Sequence, residues 1–376
     1  MLEKRRHAQS AGLFPPGRSS YSLKSVRIPG KKLLAGGKNP APPDILPFIK
    51  QGQEIGVPLA AKAATAASAE TPPPTEGFRP GLMRRSMEVY MKLRVGSRES
   101  VLAVWQAEAV MEAIRAWDAS IELELVTMKT TGDKILDRTL DKVGGKGLFV
   151  KELDAALLEG RVDLTVHSCK DLPMETDPRL PLVAFSRRGD PRDALVLPAG
   201  IDALDAGRPI GCASRRRALQ LKRLFPGVES APVRGNVQTR LRKLDEGQYS
   251  ALVLAAAGLR RLGLEGRISR CFTPEEMLPA AGQGILAVQA RAGTDTPWLD
   301  GFRDADATDC LLAERAFVRA LDGGCSSPVA AFATVEGEIL TLTGMDECGR
   351  RVRAAGPRAE AERLGAELAG QVRREN

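Results

Sequence analysis

The chain of 376 residues is 43% hydrophobic and 27% charged, with a net charge of +8, which excludes wholesale disorder and predicts two to three domains. Its longest apolar stretches fall short of about 18 residues, which excludes a membrane-spanning helix. Six cysteines without a C-x-x-C spacing exclude a disulfide scaffold, a zinc ribbon and a thioredoxin motif and favour a reducing compartment, and two histidines exclude a multi-histidine metal site.

The first ninety residues carry the excess positive charge. They hold 14 Lys and Arg against 6 Asp and Glu, and 12 of the 25 prolines, whereas the remainder is neutral. The Ala-rich run 60–69 and the Pro-rich run 71–75 are typical of linkers, so we predict a disordered, basic leader over residues 1–90. Three interpretations stay open: an organellar transit peptide, sequence upstream of a true start at Met87 or Met91, and a functional tail.

From residue 91 onward, strand and helix patterns alternate. Apolar alternation predicts short strands at 93–95, 121–126, 162–166, 182–185, 194–197, 210–211 and 251–254. Helical spacing predicts a helix capped by Ser100 and further helices near 147–158, 215–224 and 237–244. Such alternation is typical of α/β units, with parallel sheets and helices on both faces.

The last seventy residues have a different pattern. A helix is predicted near 309–321, followed by an antiparallel meander of strands at 329–334, 339–343 and 351–355. A final helix places Leu364, Leu368 and Val372 on one face. We therefore expect a separate α+β module at this end of the chain.

Residues 166–173, Val-His-Ser-Cys-Lys-Asp-Leu-Pro, are the most specific stretch. They follow a predicted strand, and open α/β sheets bind ligands at the carboxyl ends of strands. Lys170 and Asp171 offer there an anion contact and a carboxylate that handles protons. The alternative is a plain surface turn, and a nucleophilic dyad of His167 and Cys169 is disfavoured because no third group orients it.

Basic residues recur at the ends of predicted strands. Residues 142–149, Lys-Val-Gly-Gly-Lys-Gly-Leu-Phe, are either an anion cradle or a flexible turn before a helix. The arginine series comprises Arg98, Arg215, Arg216, Arg217, Arg234, Arg240, Arg260 and Arg261. Solvated surface charge explains any one of these arginines. Their repeated placement indicates a substrate with several carboxylates or phosphates, which arginine binds bidentately.

Two glycine-flanked segments remain. Cys325 lies in the loop 323–328, Gly-Gly-Cys-Ser-Ser-Pro, and is either a buried structural thiol or a functional one. Residues 282–287 imitate part of a dinucleotide-binding fingerprint, but the required preceding strand is missing from the pattern. We therefore set a nucleotide site aside.

Taken in order, these segments resemble the porphobilinogen deaminase (hydroxymethylbilane synthase) family. The shared motifs are Gly-Ser-Arg-Glu-Ser at 96–100, the stretch at 142–149, His-Ser-Cys-Lys-Asp at 167–171, Asp-Pro-Arg-Asp at 190–193, Arg-Gly-Asn-Val at 234–237, Leu-Pro-Ala-Ala-Gly-Gln-Gly at 278–284 and Gly-Gly-Cys at 323–325. The resemblance implies a transferase of porphyrin and heme biosynthesis. It condenses four porphobilinogen molecules head to tail into hydroxymethylbilane, releases ammonia, and starts from a dipyrromethane cofactor held by a thioether, here on Cys325.

The resemblance also implies the fold. Two α/β domains, similar to those of two-lobed solute-binding proteins, are expected to flank a cleft, with a small α+β C-terminal domain that bears the cysteine loop. The implied boundaries are 91–188 with 285–304 for domain 1, 189–284 for domain 2 and 305–376 for domain 3.

Residue roles follow from the matching motif positions. The resemblance implies Asp171 as the catalytic residue. It implies cofactor binding by Cys325, Lys146, Lys170, Ser214, Arg216 and Arg217. It implies substrate binding by Arg98, Ser100, Lys142, Phe149, Ser168, Arg234, Arg240 and Arg261, with no metal. The implied partners are porphobilinogen and the growing polypyrrole chain, without nucleic acid or membrane, for a cytoplasmic monomer, or a plastid or other organellar one if residues 1–90 are a transit peptide.

Two other hypotheses remain, a two-lobed carboxylate-binding protein and an inactive homologue. A binding protein has no need of Cys325 or Asp171, so these two residues distinguish it from the enzyme. Cys169 departs from the family pattern, where methionine is common, and we expect this second thiol near Asp171 to be open to oxidation or alkylation. Cys212 begins a second departure, Cys-Ala-Ser, from a more hydroxyl-rich pattern.

Overall fold

The computed structural model describes residues 91–134, 149–324 and 327–374. The predicted leader over residues 1–90 lies outside the described residues, as do Lys142, Lys146 and Cys325. Within the described ranges, no helix is both long and apolar enough to cross a membrane.

The described strands and helices are as follows, in chain order. The strands are β1 (Lys92–Arg98), β2 (Glu122–Met128), β3 (Leu164–Ser168), β4 (Leu182–Phe185), β5 (Asp193–Val196), β6 (Ile210–Gly211), β7 (Ser230–Ala231), β8 (Ala251–Ala255), β9 (Arg270–Cys271), β10 (Leu286–Ala290), β11 (Ala330–Glu336), β12 (Ile339–Met345) and β13 (Arg351–Pro357). The α-helices are α1 (Val101–Trp117), α2 (Thr131–Lys134), α3 (Lys151–Leu158), α4 (Arg215–Leu224), α5 (Val237–Asp245), α6 (Ala256–Arg261), α7 (Ala305–Ala320) and α8 (Ala361–Arg374).

Two five-stranded sheets form the centres of two lobes. The first lobe has the strand order β2-β1-β3-β10-β4, and the second lobe has the order β7-β6-β8-β5-β9. The third unit is the antiparallel sheet β11-β12-β13 with α7 and α8 packed on it. The protein is therefore of the α/β class, with two sheet-and-helix lobes and a small C-terminal α+β unit.

The expectation of parallel sheets is wrong for both lobes. Strand β1 pairs parallel with β2 and β3, but β10 pairs antiparallel with β3 and β4. In the second lobe, β6 is parallel to β7 and β8, while β5 is antiparallel to β8 and β9. The reason is topological, because β5 and β10 are the strands with which the chain enters one lobe and re-enters the other.

Helix α1 shows why the local predictions of helices succeed. The Ser100 hydroxyl accepts a hydrogen bond from the Ala103 N–H at 3.3 Å, which caps the helix. Ala107, Val110 and Ile114 follow at helical spacing and are buried in the core of the first lobe. This helix therefore forms from a cap and one apolar face, both of which are visible in the sequence.

Other element ends differ from prediction by a few residues. The third strand lies two residues further along than 162–166, and α7 starts at Ala305, where the Asp304 carboxylate accepts from the Ala307 N–H at 2.7 Å. The predicted elements do not include the two-residue strands β7 and β9, the strand β10 or the helix α6. Strand β10 is buried along its whole length, so its sequence shows no alternation of exposed and buried residues. The helix predicted at 147–158 is described from Lys151 onward.

The two chain segments that connect the lobes touch each other. The Gly189 N–H donates to the Gly284 carbonyl at 3.1 Å. Gly284 has a φ of 93°, and a Cβ there would lie 2.7 Å from the Gly189 carbonyl oxygen. Only glycine fits both the left-handed backbone and this close approach, so the crossing of the two segments depends on it.

Helix packing in the third unit supplies a stability test. Gly365 and Gly370 both lie in α8, but a Cβ at Gly365 would overlap the Ala313 carbonyl and lie 2.9 Å from the Ala316 Cβ, whereas Gly370 is open. We expect Gly365→Ala to lower the free energy of unfolding by about 1–3 kcal/mol through overpacking. The control Gly370→Ala should raise it by about 0.5–1 kcal/mol through helix propensity.

Denaturant unfolding of both variants beside the wild type measures these differences. Equal stabilities of Gly365→Ala and Gly370→Ala would contradict the close packing of α7 against α8.

Candidate active site

A cavity of about 910 Å³ lies where the two lobes and the third unit meet. Twelve predicted site residues line it: Arg98, Ser100, Phe149, Ser168, Lys170, Asp171, Ser214, Arg216, Arg217, Arg234, Arg240 and Arg261. The other three, Lys142, Lys146 and Cys325, lie outside the described residues. Gly324 and Ser327, which flank the undescribed pair 325–326, also line the cavity.

Strand β3 carries Asp171 to the cavity. Leu164 to His167 are buried in the sheet, and a 3₁₀ turn over Cys169–Asp171 then ends the strand. The Cys169 N–H donates to the Ile285 carbonyl at 3.0 Å, which ties this turn to the chain beside it. The Asp171 carboxylate is left exposed at the cavity.

The Lys170 amine contacts the chain segment that leads from the second lobe back to the first. Its Nζ donates to Gln283 Oε1 at 3.2 Å. Burial and the nearby Arg217 lower the pKa of Lys170 to about 8, against the opposing effect of the Asp171 and Asp193 carboxylates. The amine is charged at neutral pH, and its charge responds to small changes in its surroundings.

The Asp193 carboxylate accepts hydrogen bonds from three side chains at the cavity. Its side chain is fully buried and accepts from Arg216 Nη1 at 2.8 Å, from Arg217 Nε and Nη2 at 3.0 and 2.7 Å, and from Gln283 Nε2 at 3.0 Å. Although burial opposes ionisation, the two arginines hold the pKa of Asp193 far below its usual range. The carboxylate is therefore ionised and offsets part of the positive charge beside it.

Arg98 is held at the first lobe's edge of the cavity. Its guanidinium forms a two-point ion pair with Asp133, in which Nε lies 3.1 Å from Oδ2, and it stacks 4.3 Å from the centre of the Phe149 ring. Burial raises the pKa of the Asp133 carboxyl, but hydrogen bonds from Arg98 and Thr130 outweigh this effect and lower it below its usual value. Arg98 thus presents a cation whose position is already fixed.

Arg240 and Arg261 have weaker partners. Among the described residues, Arg240 Nε donates to the Gly235 carbonyl at 2.8 Å and Arg261 Nη2 donates to the Gly284 carbonyl at 2.6 Å. Arg261 also lies 5.9 Å from the centre of the Trp105 ring. Burial, reinforced for Arg240 by neighbouring arginines, lowers the pKa of each to about 10, which favours an anionic ligand beside them.

The three predicted serines are hydrogen-bonded. Ser100 caps α1 and Ser214 caps α4, where its Oγ accepts from the Arg217 N–H at 3.5 Å. Ser168 Oγ accepts from Gln106 Nε2 at 2.8 Å. Ser168 Oγ also donates to Gln106 Oε1 at 3.2 Å, so both of its roles are taken up by one amide. The two capping hydroxyls of Ser100 and Ser214 still have a proton to donate, so a cap is compatible with contact to a carboxylate.

Cys169 corrects one expectation. Its thiol is 1% exposed, and burial raises its pKa to about 12. A thiol that is buried and protonated is a poor nucleophile, so the expectation that it is open to oxidation or alkylation is wrong. His167 is also buried, where it hydrogen-bonds the Thr165 hydroxyl through Nε2 at 2.9 Å.

Sequence reasoning assigned no role to Asp193, Gln283, Asp133 or Trp105. Asp193 and Gln283 lie inside the motifs at 190–193 and 278–284, so the signal was present but no function was attached to it. Their partners lie 23 to 113 positions away, and such pairs become visible only through the topology. Within the described ranges, no group of His, Cys, Asp and Glu is placed to hold a metal ion.

Comparison with known proteins gives two family matches. Residues 93–297 match the model for the porphobilinogen deaminase dipyrromethane cofactor-binding domain, and residues 308–373 match the model for the porphobilinogen deaminase C-terminal domain. The porphobilinogen deaminase of Acetivibrio thermocellus is 58% identical over 75% of this chain and 98% of its own. That of Alkaliphilus oremlandii is 56% identical over 76% of this chain and 98% of its own.

Several solved structures are distantly similar to the chain. The periplasmic aliphatic sulphonate binding protein SsuA from Escherichia coli is 12% identical, with a TM-score of 0.33 over 60% of this chain and 67% of its own. A likeness of this size identifies no ligand. The two family models cover most of the described residues, and the relatives are similar over nearly their full lengths, so the chain belongs to the porphobilinogen deaminase family.

Proposed function

We propose that the cleft carries out the porphobilinogen deaminase reaction with Asp171 as its catalytic carboxylate. The observation that carries this assignment is the composition of the cavity wall. Three described carboxylates line the cavity of about 910 Å³, and two of them are paired, Glu99 with Lys129 and Asp133 with Arg98. The third, Asp171, is exposed and lies among the cations Lys170, Arg216, Arg217, Arg234, Arg240 and Arg261. Positive charge suits the carboxylates of porphobilinogen, and a carboxylate that is not paired with a cation of the protein suits the reacting pyrrole.

The cations bind and orient the substrate. Porphobilinogen carries an acetate and a propionate, so a growing chain accumulates two carboxylates per ring. Each charge-assisted hydrogen bond contributes about 1.5–3 kcal/mol where water is excluded. Arg240 and Arg261, whose hydrogen bonds among the described residues go to backbone carbonyls, are the cations best placed to take new carboxylate partners.

Asp171 stabilises the charge that develops on the substrate. Condensation breaks the bond between the aminomethyl carbon and its ammonium nitrogen, ammonia leaves with the electron pair, and positive charge spreads over the pyrrole. The aminomethyl carbon then bonds to the free ring carbon of the acceptor pyrrole, which loses the proton that it carried there. A carboxylate that faces the pyrrole N–H lowers the energy of this cation and can hold its proton. The turn over Cys169–Asp171 fixes the carboxylate for this purpose, because its backbone is bonded to Ile285.

The described residues fit the dipyrromethane that the family match implies. Arg216 lines the cavity, and its buried Nε has no hydrogen-bond partner among the described residues, so a donor is available for a cofactor carboxylate. Ser214, Arg217 and Lys170 also line the cavity, as do Gly324 and Ser327, the described residues on either side of the cysteine. When bound, the dipyrromethane supplies the primer pyrrole to which the first substrate is joined.

We further propose a cytoplasmic monomer. The relatives described above are bacterial proteins, and the described cysteines, which include Cys212 and Cys348, are free thiols as in a reducing compartment. Among the described residues, the large exposed apolar side chains are Met91, Val101, Trp117, Leu158, Ile201 and Ile339; of these only Val101 and Trp117 share an element, and they lie at its opposite ends.

Intact mass tests the cofactor and its attachment point together. We expect the purified wild type to carry an excess equal to two linked pyrrole units, and Cys325→Ser to lack it, because a thioether needs the thiol. Cys348→Ser, which removes an exposed thiol elsewhere, is the matched control and should keep the excess. A wild type that stays unmodified after incubation with porphobilinogen would favour a binding protein or an inactive homologue.

Substitution of Asp171 tests the catalytic role. We expect Asp171→Asn to fold and to retain the cofactor but to lower kcat by about 10²-fold or more, because the charge that stabilises the pyrrole cation is lost. Steady-state formation of hydroxymethylbilane measures kcat. Glu175→Gln, an exposed carboxylate four residues along that does not line the cavity, should match the wild type. Near-normal kcat in Asp171→Asn would refute the role.

The pKa of Lys170 predicts a pH dependence. Because the pKa is lowered to about 8, the amine loses its positive charge as the pH rises through 8, and binding of anionic porphobilinogen weakens. We expect kcat/KM to fall above about pH 8, and Lys170→Arg to remove this fall, since arginine stays charged. Lys222→Arg, on the exposed side of α4, should keep the wild-type profile. An unchanged profile in Lys170→Arg would contradict the assignment.

A further inference from the structure

We propose that Asp193 is the positioning residue of the cleft. Through direct ion pairs it holds Arg216 and Arg217, and through Gln283 it holds Lys170, in the arrangement that receives the carboxylates of cofactor and substrate. The proposal rests on the proposed function and assigns to Asp193 no contact with the ligand, only the placement of the groups that make it.

The backbone of Asp193 is rigidly held. It is the first residue of β5, where it pairs with Ala255 of β8. The Phe272 N–H donates to the Asp193 carbonyl at 2.9 Å on the other side. A carboxylate on an interior strand of the sheet is a fixed point, whereas the long arginine side chains have many rotamers in its absence.

The carboxylate determines which donors the arginines have left. Arg217 uses Nε and Nη2 on Asp193 and Nη1 on the Val253 carbonyl, so its fork is bound to the protein. Arg216 uses only Nη1, which it shares between Asp193 and the Leu278 carbonyl, and its Nε has no partner among the described residues. Asp193 thus leaves one edge of Arg216 to a ligand.

Gln283 links Asp193 to Lys170 of the first lobe. Its amide is 1% exposed and lies between Lys170 and Asp193, accepting from Nζ at 3.2 Å and donating to Oδ1 at 3.0 Å. A further bond from Nε2 to the Pro191 carbonyl, at 2.6 Å, fixes the amide orientation. Lys170 of the first lobe and the arginine pair of the second lobe are therefore placed relative to the same carboxylate.

Charge balance gives this role a measurable signature. Lys170 is faced by the cations Arg216 and Arg217 and by the carboxylates Asp171 and Asp193. Neutralising Asp193 removes one of the two negative charges and leaves both arginines, so the amine should lose its proton more readily. Only the Gln283 amide separates the two groups, so loss of the Asp193 charge should lower the pKa of Lys170 by about one unit. A purely structural carboxylate would change stability without moving this titration.

The test compares Asp193→Asn with Asp190→Asn in the full-length protein. Asp190 lies three residues earlier, is mostly buried and pairs with Arg192 and Arg260, but it does not line the cavity. We expect Asp193→Asn to lower the cofactor-loaded fraction in intact mass spectra. We also expect it to shift the alkaline fall of kcat/KM about one pH unit lower. Asp190→Asn should do neither.

A second variant keeps the test decisive if Asp193→Asn does not fold. Asp193→Glu retains the charge but moves it by one methylene, so the fall near pH 8 should stay while KM rises about 10-fold, the size expected when charge-assisted bonds are misplaced. A folded Asp193→Asn with unchanged loading and pH profile, or an Asp193→Glu with wild-type KM, would overturn the proposal. Inactivity of the wild type would instead overturn the proposed function.

Discussion

A buried cation is stable only when nearby groups offset its charge, and this cleft collects several of them. Asp193 does so for Arg216 and Arg217, and Asp133 does so for Arg98. Arg240 and Arg261 have only carbonyl acceptors among the described residues, and their pKa values are depressed. The cleft therefore contains cations that the protein has positioned but not neutralised. A ligand with many carboxylates relieves this imbalance, which links the cost of burying the cations to the affinity for the chain that grows there.

The third unit supports the cleft by holding the two segments that connect the lobes. Glu314 of α7 is fully buried and accepts from Arg188 Nη2 at 2.7 Å, from the Gly282 N–H at 2.7 Å and from the Ala333 N–H at 2.8 Å. One carboxylate thus ties both connections between the lobes to the third unit. Arg351 adds a bond to Gln220 on α4 at 2.6 Å. Since the segment with Gln283 is fixed in this way, the site depends on a unit that supplies few of its lining side chains.

The sequence predicts the local secondary structure better than it predicts which charged residues pair with each other. Caps such as Ser100 and buried helical faces depend on neighbours in the chain, so the predicted helices and most strands agree with the structure to within a few residues. The antiparallel insertion of β10 and the partners of Asp193 depend on residues brought together by the whole topology. The motif resemblance identified the lining residues, but only the structure separates arginines bound to protein carboxylates from those left to a ligand.

The order of the strands also bears on how the chain folds during synthesis. The sheet of the first lobe needs β10, which separates β3 from β4 and leaves the ribosome only after the entire second lobe. The second lobe, from β5 to β9, is by contrast continuous in the chain. Contacts of high sequence separation form late, since loop closure must precede them. The second lobe can therefore complete its core first, while strands β1 to β4 wait with an open position until residues 286–290 arrive.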